Sequence, residues 1–140
     1  MLKYVIQKSI IIWLLPGKGV GCNYLNDPRM IWSVWVMRII VLCGIILTEI
    51  LQGIADDTTH RRVRRYLVPL ILLPMPEAVF VRAADIYRRL RKQGTTIRKT
   101  NDCIIAATVL EHHCRLLHND KDFAAIARDY PLKVVKTGPL

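Results

Sequence analysis

The sequence predicts an α/β fold in which helices cover both faces of a central parallel sheet. Short apolar segments rich in β-branched residues alternate with segments whose apolar residues recur at helical spacing. Gly, Pro and Asn separate these segments, and the chain has no internal repeat or low-complexity tract. The length of 140 residues, 52% of them hydrophobic, suits a single domain over residues 1–140 with one core.

In the first half of the chain, apolar runs and their stop signals define the elements. In chain order we expect a buried strand at Tyr4–Ile6, a helical turn from Ser9 to Pro16, a loop over 17–28 and a strand at Ile39–Leu47. The last segment is apolar on both faces, which is typical of an interior parallel strand. Thr48 can then act as the N-cap of a short helix that begins at Glu49.

The second half of the chain continues the alternation. In order we expect a strand at Leu67–Leu73, a helix from Glu77 to Gly94, a helix capped by Thr100 or Asn101 that ends near His112, a strand at Arg115–Leu117, a helix at Phe123–Asp129 and a strand at Leu132–Val135. The helix after Glu77 has the clearest pattern, because the apolar residues Val79, Ala83, Ile86, Tyr87 and Leu90 fall at helical spacing.

The chain is strongly basic, with 21 Lys and Arg against 11 Asp and Glu and a formal charge of +10. Such an excess favours a polyanionic partner such as RNA, DNA or an anionic membrane. Residues 54–100 hold 11 basic and 4 acidic residues, a net +7. Two clusters account for most of it: Arg61, Arg62, Arg64 and Arg65, then Arg88, Arg89, Arg91 and Lys92. Both solvated helix faces and a nucleic-acid surface explain these clusters.

The cysteines and one long apolar run indicate whether the protein is cytoplasmic or membrane-anchored. The four cysteines form no CxxC pair, so we expect reduced thiols in a cytoplasmic protein rather than a zinc site or disulfides. The 17 residues of Ile31–Leu47 are apolar except for Ser33 and Arg38. Two successive buried elements explain this run without a membrane span, although a membrane-anchored protein is the alternative.

Three acids stand where predicted elements end or begin. Glu49 follows the strand ending at Leu47, Asp120 follows the strand ending at Leu117, and Asp102 lies in the first turn of a helix. Ligands of parallel sheets bind beyond the carboxyl ends of the strands. Carboxylates that converge there repel one another unless a divalent cation neutralises them, and all-oxygen ligands favour Mg²⁺ or Mn²⁺ over zinc. The alternative for Glu49 and Asp102 is that they are ordinary first-turn helix acids, and the alternative for Asp120 and Asp122 is a turn and cap pair.

Three segments that contain these acids resemble motifs of the PIN-domain family, in particular its VapC-type toxins. Ile45–Gly53 resembles the second acidic motif, Thr96–Ala107 the third and Leu116–Phe123 the fourth, while Leu132–Val135 is similar to the closing strand. The resemblance runs from about residue 41 to residue 135, with the motifs in the family's order and spacing.

This resemblance implies a PIN-like three-layer fold, a Mg²⁺-dependent (or Mn²⁺-dependent) endoribonuclease, a cognate antitoxin protein as inhibitor, and a homodimer. It implies that Glu49, Asp102 and Asp120 are the catalytic and metal-binding residues, with Asp122 as a helper. Arg98 and Lys99 flank the site and are candidates for RNA phosphate contacts, or for a solvated loop.

The amino-terminal part departs from the family pattern. Ser9–Gly17 is similar to the family's first helix, which places Gln7 where the first family Asp stands, and residues 18–40 are divergent. Gln7 offers a neutral oxygen without a charge. The alternative function is therefore a catalytically impaired PIN-like protein that binds antitoxin or RNA without cleavage.

Two further kinds of residue attract a functional interpretation but have simpler explanations. His112, His113 and His118 are expected to be structural rather than metal ligands or general bases. Cys103 is expected to be a small core residue rather than a nucleophile.

Overall fold

The computed structural model describes residues 4–6, 40–118 and 120–136. Within these ranges the chain forms five strands and five helices. The strands are β1 (Tyr4–Ile6), β2 (Ile40–Cys43), β3 (Ile71–Leu73), β4 (Arg115–His118) and β5 (Val134–Lys136). The helices are α1 (Gly44–Gln52), α2 (Asp57–Leu67), α3 (Glu77–Lys92), α4 (Thr100–Glu111) and α5 (Lys121–Asp129).

All five strands pair in parallel in one sheet of order β3-β2-β1-β4-β5. Val5 at the centre pairs with Val41 on one side and with Leu116 on the other, and all three side chains are fully buried. The chain moves outward from β1 in one direction through β2 and β3, and in the other through β4 and β5. The switch point between β1 and β4 is where parallel α/β sheets form their ligand sites.

Helices α3 and α4 pack against each other beside the sheet. The buried face of α3 consists of Val79, Ala83, Ile86 and Leu90, four of the five predicted residues, whereas Tyr87 is only partly buried. Gly94 follows the helix with a φ of 78°. That φ lies in the left-handed region, where glycine adopts a helix-ending conformation without a steric penalty. Helix α4 is buried along most of its length, so the core of the molecule fixes its position.

The predicted strand at Ile39–Leu47 is wrong beyond Cys43, because α1 begins at Gly44. Ile46 and Ile50, one helical turn apart, are both fully buried against the core. A short run that is apolar throughout fits a buried strand and a buried helix equally well. Thr48 is therefore not an N-cap; it lies within α1 and its hydroxyl donates a hydrogen bond to the Gly44 carbonyl at 2.9 Å.

Other boundaries also differ from the predictions. Leu67 ends α2 instead of opening β3, and the Asp56 carboxylate caps that helix by accepting a hydrogen bond from the Thr59 N–H. The N-cap of α4 is Lys99, so neither Thr100 nor Asn101 caps it. The first basic cluster lies on an exposed face of α2. Most residues of this helix are polar, so it lacks the apolar spacing that predicts the other helices.

The candidate membrane segment Ile31–Leu47 lies partly outside the described residues. Its described part, 40–47, is divided between β2 and α1. In the described ranges, no helix combines the length and apolarity needed to cross a bilayer. The predicted helical turn after Ser9 and the loop over 17–28 lie outside the described residues.

The two phenylalanines of the chain offer a matched test of the core. Phe123 on α5 is fully buried, with its ring centroid 5.1 Å from that of His118, whereas Phe80 on α3 is 46% exposed. We expect Phe123→Ala to lower the free energy of unfolding by about 3–5 kcal/mol, because it leaves a cavity in the core. Phe80→Ala should cost less than about 1 kcal/mol. Urea denaturation of both variants measures the difference, and equal losses would contradict this packing.

Candidate functional site

The predicted site residues come from elements that meet at the carboxyl edge of the sheet. Asp120 lies two residues beyond the end of β4 and immediately before α5. Asp102 is in the first turn of α4, and Glu49 lies in α1, the helix that follows β2. The sequence suggested that Glu49 follows a strand directly, but Glu49 reaches the site from within a helix.

Asp102 is the most deeply buried acid among the described residues, and its Oδ2 atom has no hydrogen-bond partner there. The surroundings of Asp102 raise its pKa from 3.8 to about 7, and burial of the carboxyl group is the largest cause. The carboxylates of Asp120 and Asp122 contribute to the same increase, Lys99 opposes it, and Glu49 adds a smaller part. The four acids named by the sequence analysis are therefore close enough to act on one another electrostatically.

Asp120 is held by backbone groups and by a buried histidine. Its Oδ1 accepts a hydrogen bond from the Asp122 N–H at 3.1 Å, which makes Asp120 the N-cap of α5. Its own N–H donates to His118 Nδ1 at 3.1 Å. The His118 ring is buried and packs on Phe123, so this histidine positions the backbone of the acid.

Asp120 and Asp122 share a cation, Arg98, for which the sequence analysis left open an RNA phosphate contact or a solvated loop. Arg98 Nη2 lies 3.3 Å from Asp120 Oδ1, and Arg98 Nε lies 3.5 Å from Asp122 Oδ2. The Arg98 backbone N–H also donates to Asp122 Oδ2 at 3.2 Å. Lys99, in contrast, is an exposed residue at the N-cap position of α4.

Glu49 is tied to α4 by Asn101, which the sequence analysis considered only as a helix cap. Asn101 Nδ2 donates a hydrogen bond to Glu49 Oε1 at 3.0 Å. The contact joins residues 52 positions apart, so no local sequence pattern predicts it. The only available signal was the position of Asn101 directly before Asp102. Asn101 orients Glu49 toward the helix that carries the buried acid.

The acids of the site offer the kind of donor atom that a hard divalent cation prefers. All four acids offer oxygen ligands, and the free Oδ2 of buried Asp102 lacks the positive partner that its ionised form needs. As they stand, the described side chains include no group of three or more His, Cys, Asp or Glu that could hold a metal ion. Asp120 and Asp122 are instead engaged by Arg98. Among the described residues of the site, Asp102 is thus the acid with a carboxylate oxygen that has no hydrogen-bond partner, and the positive charge of Lys99 offsets its charge only in part.

The remaining candidate side chains have structural roles. Burial raises the pKa of the Cys103 thiol to about 11, with Asp102 and Asp122 adding to the effect, so Cys103 stays protonated at neutral pH. His112 follows the carboxyl end of α4, where its Nε2 lies 2.8 Å from the Pro74 carbonyl oxygen. Neither residue contributes to the acidic site.

Comparison with known proteins agrees with this geometry. Residues 4–129 match the family model of the PIN domain. This chain belongs to the PIN-domain family. The PIN domain is 44% identical over 117 residues to VapC ribonuclease Mb1587 of Mycobacterium bovis, an alignment that spans 83% of this chain and 87% of that protein. Ribonuclease VapC11 of Mycobacterium tuberculosis gives the same identity and coverage. The resemblance drawn from the three acidic motifs is confirmed.

Solved structures establish the fold of this PIN domain. VapBC2 from Rickettsia felis, bound to a DNA fragment from its promoter, superposes with a TM-score of 0.73 at 17% identity, covering 98% of this chain and 100% of that chain. VapBC-1 from nontypeable Haemophilus influenzae superposes with a TM-score of 0.68 at 23% identity, with coverages of 96% and 98%. The predicted parallel sheet with flanking helices is confirmed. PIN-domain nucleases of the VapC type generally depend on a divalent metal.

The raised pKa of Asp102 predicts how stability depends on pH. Below pH 3.8 the carboxyl is neutral in the folded and the unfolded chain. Between pH 3.8 and about 7 only the unfolded chain ionises, so the metal-free protein loses stability as the pH rises. Asp102→Asn removes this loss. The difference in free energy of unfolding between Asp102→Asn and the natural chain should therefore change in favour of the variant by roughly 2–3 kcal/mol between pH 5 and pH 8.

Urea denaturation in the presence of a chelator at the two pH values measures this advantage. Asp85→Asn serves as the control, because Asp85 is an exposed acid on α3. An advantage of Asp102→Asn that does not change with pH, or that Asp85→Asn shares, would contradict the burial of a carboxyl group whose charge is offset only in part.

Proposed function

We propose that this PIN domain is a divalent-metal-dependent endoribonuclease, the toxin of a type II toxin-antitoxin system, which hydrolyses RNA phosphodiesters. The observation that carries the proposal is buried Asp102, with a free carboxylate oxygen, held among Asp120, Asp122 and Glu49 at the switch point of a parallel sheet. The 44% identity to relatives named as ribonucleases supports the same chemistry.

We propose Mg²⁺ or Mn²⁺ as the cofactor, with Glu49, Asp102 and Asp120 as its ligands and Asp122 as a helper. When bound, such an ion lowers the pKa of a water and offsets negative charge on the phosphate. Asn101 orients Glu49 for this role, and His118 fixes the backbone of Asp120. An ionised Asp102 requires the cation most, because burial disfavours its charge.

The exposed basic side chains of residues 54–100 supply the phosphate contacts in this proposal. The first cluster lies on α2 and the second on the last turns of α3, and both are solvent-exposed. Lys99 stands beside Asp102 and lowers its pKa, so this lysine already contributes positive potential at the site. Such contacts position the RNA backbone without reading its sequence.

We propose a cognate antitoxin protein as the partner and a homodimer as the assembly state. Several structures of similar fold are toxin-antitoxin complexes, among them one from Klebsiella pneumoniae with a TM-score of 0.65 at 21% identity. We place the activity in the cytoplasm, where an RNA substrate and an antitoxin meet. Residues 1–140 would form one PIN-like domain.

The second candidate function is binding of antitoxin or RNA without cleavage. Gln7 motivates it, because this neutral residue stands in the sequence where the family has its first Asp. Gln7 lies outside the described residues, so the candidate rests on the sequence alone.

Cleavage of a labelled RNA, followed as Mg²⁺ or Mn²⁺ is titrated into the purified chain, tests the proposed activity. We expect metal-dependent cleavage that falls by more than about 100-fold in Asp102→Asn, because this variant removes a charged ligand from the site. Asp85→Asn should cleave like the natural chain. Cleavage that persists in Asp102→Asn would point to a different site or a contaminating nuclease.

The variant Gln7→Asp separates the two candidate functions. An added carboxylate should strengthen metal binding and raise the cleavage rate at limiting metal by about 10-fold. If the natural chain binds RNA without cleaving it and only Gln7→Asp cleaves, the natural protein is a binder. If both cleave at the same rate, position 7 is not a ligand.

A further inference from the structure

Arg98 forms a cationic bridge between two of the site carboxylates. Its Nη2 lies 3.3 Å from Asp120 Oδ1 and its Nε lies 3.5 Å from Asp122 Oδ2. The planar guanidinium suits such two-point contacts, because its donors point in fixed directions. The backbone N–H of Arg98, at 3.2 Å from Asp122 Oδ2, anchors the same residue to the same acid.

This contact places a positive charge on the oxygens that a metal would use. The side chains of Asp120 and Asp122 are only 22% and 11% exposed, so their charges are poorly solvated and favour a nearby cation. The Arg98 side chain is 69% exposed and can move into solvent without opening the core. The acids are therefore fixed, whereas the arginine is free to leave them.

We propose that Arg98 is an intramolecular counter-cation, which holds Asp120 and Asp122 in the metal-free chain and is displaced when a divalent cation binds. The inference rests on the proposed metal site. It makes Arg98 a positioning residue that keeps the two carboxylates in place while lowering the affinity for the metal. Displacement also makes the ion pairs compatible with an RNA phosphate contact, one of the two alternatives for Arg98, because metal loading would release the guanidinium toward a phosphate.

Mn²⁺ binding to the full chain, measured by electron paramagnetic resonance at low ionic strength, tests this competition. Arg98→Gln removes the competitor, and we expect it to bind Mn²⁺ about fivefold more tightly than the natural chain, the upper end for a solvent-exposed ion pair. Arg98→Lys should fall between them, because an ammonium cannot bridge two carboxylates in the same way.

Arg88→Gln is the charge-matched control. Arg88 pairs with exposed Asp85 at 3.9 Å on α3, so its loss removes the same charge without touching the site acids. Arg88→Gln should bind Mn²⁺ as the natural chain does. The ratio between Arg98→Gln and the natural chain should shrink as NaCl is added, because salt weakens an exposed ion pair.

The outcomes distinguish this inference from the proposed function. Tighter binding in Arg98→Gln alone, abolished by adding Asp102→Asn, supports the counter-cation. If the natural chain binds Mn²⁺ through Asp102 but Arg98→Gln binds equally or more weakly, the inference is overturned and the metal site stands. An equal gain in Arg88→Gln overturns it too, since net charge then explains the effect. If no variant binds Mn²⁺, the proposed metal site fails and the inference fails with it.

Discussion

Burial of the Asp102 carboxyl group beside three other acids is the constraint on which the rest of the site depends. A buried carboxyl group with a pKa of about 7 is close to half-ionised at neutral pH, and each neighbouring carboxylate makes its ionisation harder. Proteins retain such an arrangement when it serves a task that a neutral site could not perform. Binding a divalent cation is that task in the function proposed for this PIN domain.

The fold limits the consequences of this repulsion by giving each acid a different support. Asp120 uses a backbone amide of α5 and the buried His118, Glu49 uses the Asn101 side chain, and Asp122 uses Arg98. These supports come from β4, α4, α5 and the segment before α4. The acids are therefore in place only when several separate elements have docked, which makes the site a product of the complete fold.

The sequence predicted the parallel sheet and the approximate position of most elements, because interior strands must be apolar and α3 has an apolar face. It failed at Cys43 and Gly44, where a continuous apolar run left strand and helix equally acceptable. The acids Asp102 and Asp120 could be selected because element ends meet at one edge of a parallel sheet. Asn101 and Arg98 could not be assigned their roles, since those depend on contacts between residues 52 and 24 positions apart.

Helix α4 carries Asp102 in its first turn and core residues along most of its remaining length. The buried acid therefore cannot be released by fraying of a surface loop, because its helix is secured by the same packing that holds the domain together. Amide hydrogen exchange at the buried part of α4 would then follow global unfolding, while exposed α2 could open locally. Loss of the site and loss of the fold therefore become one cooperative event. A partially unfolded form of the chain would keep Asp102 buried as long as it keeps the core, and would expose Asp102 when the core unfolds.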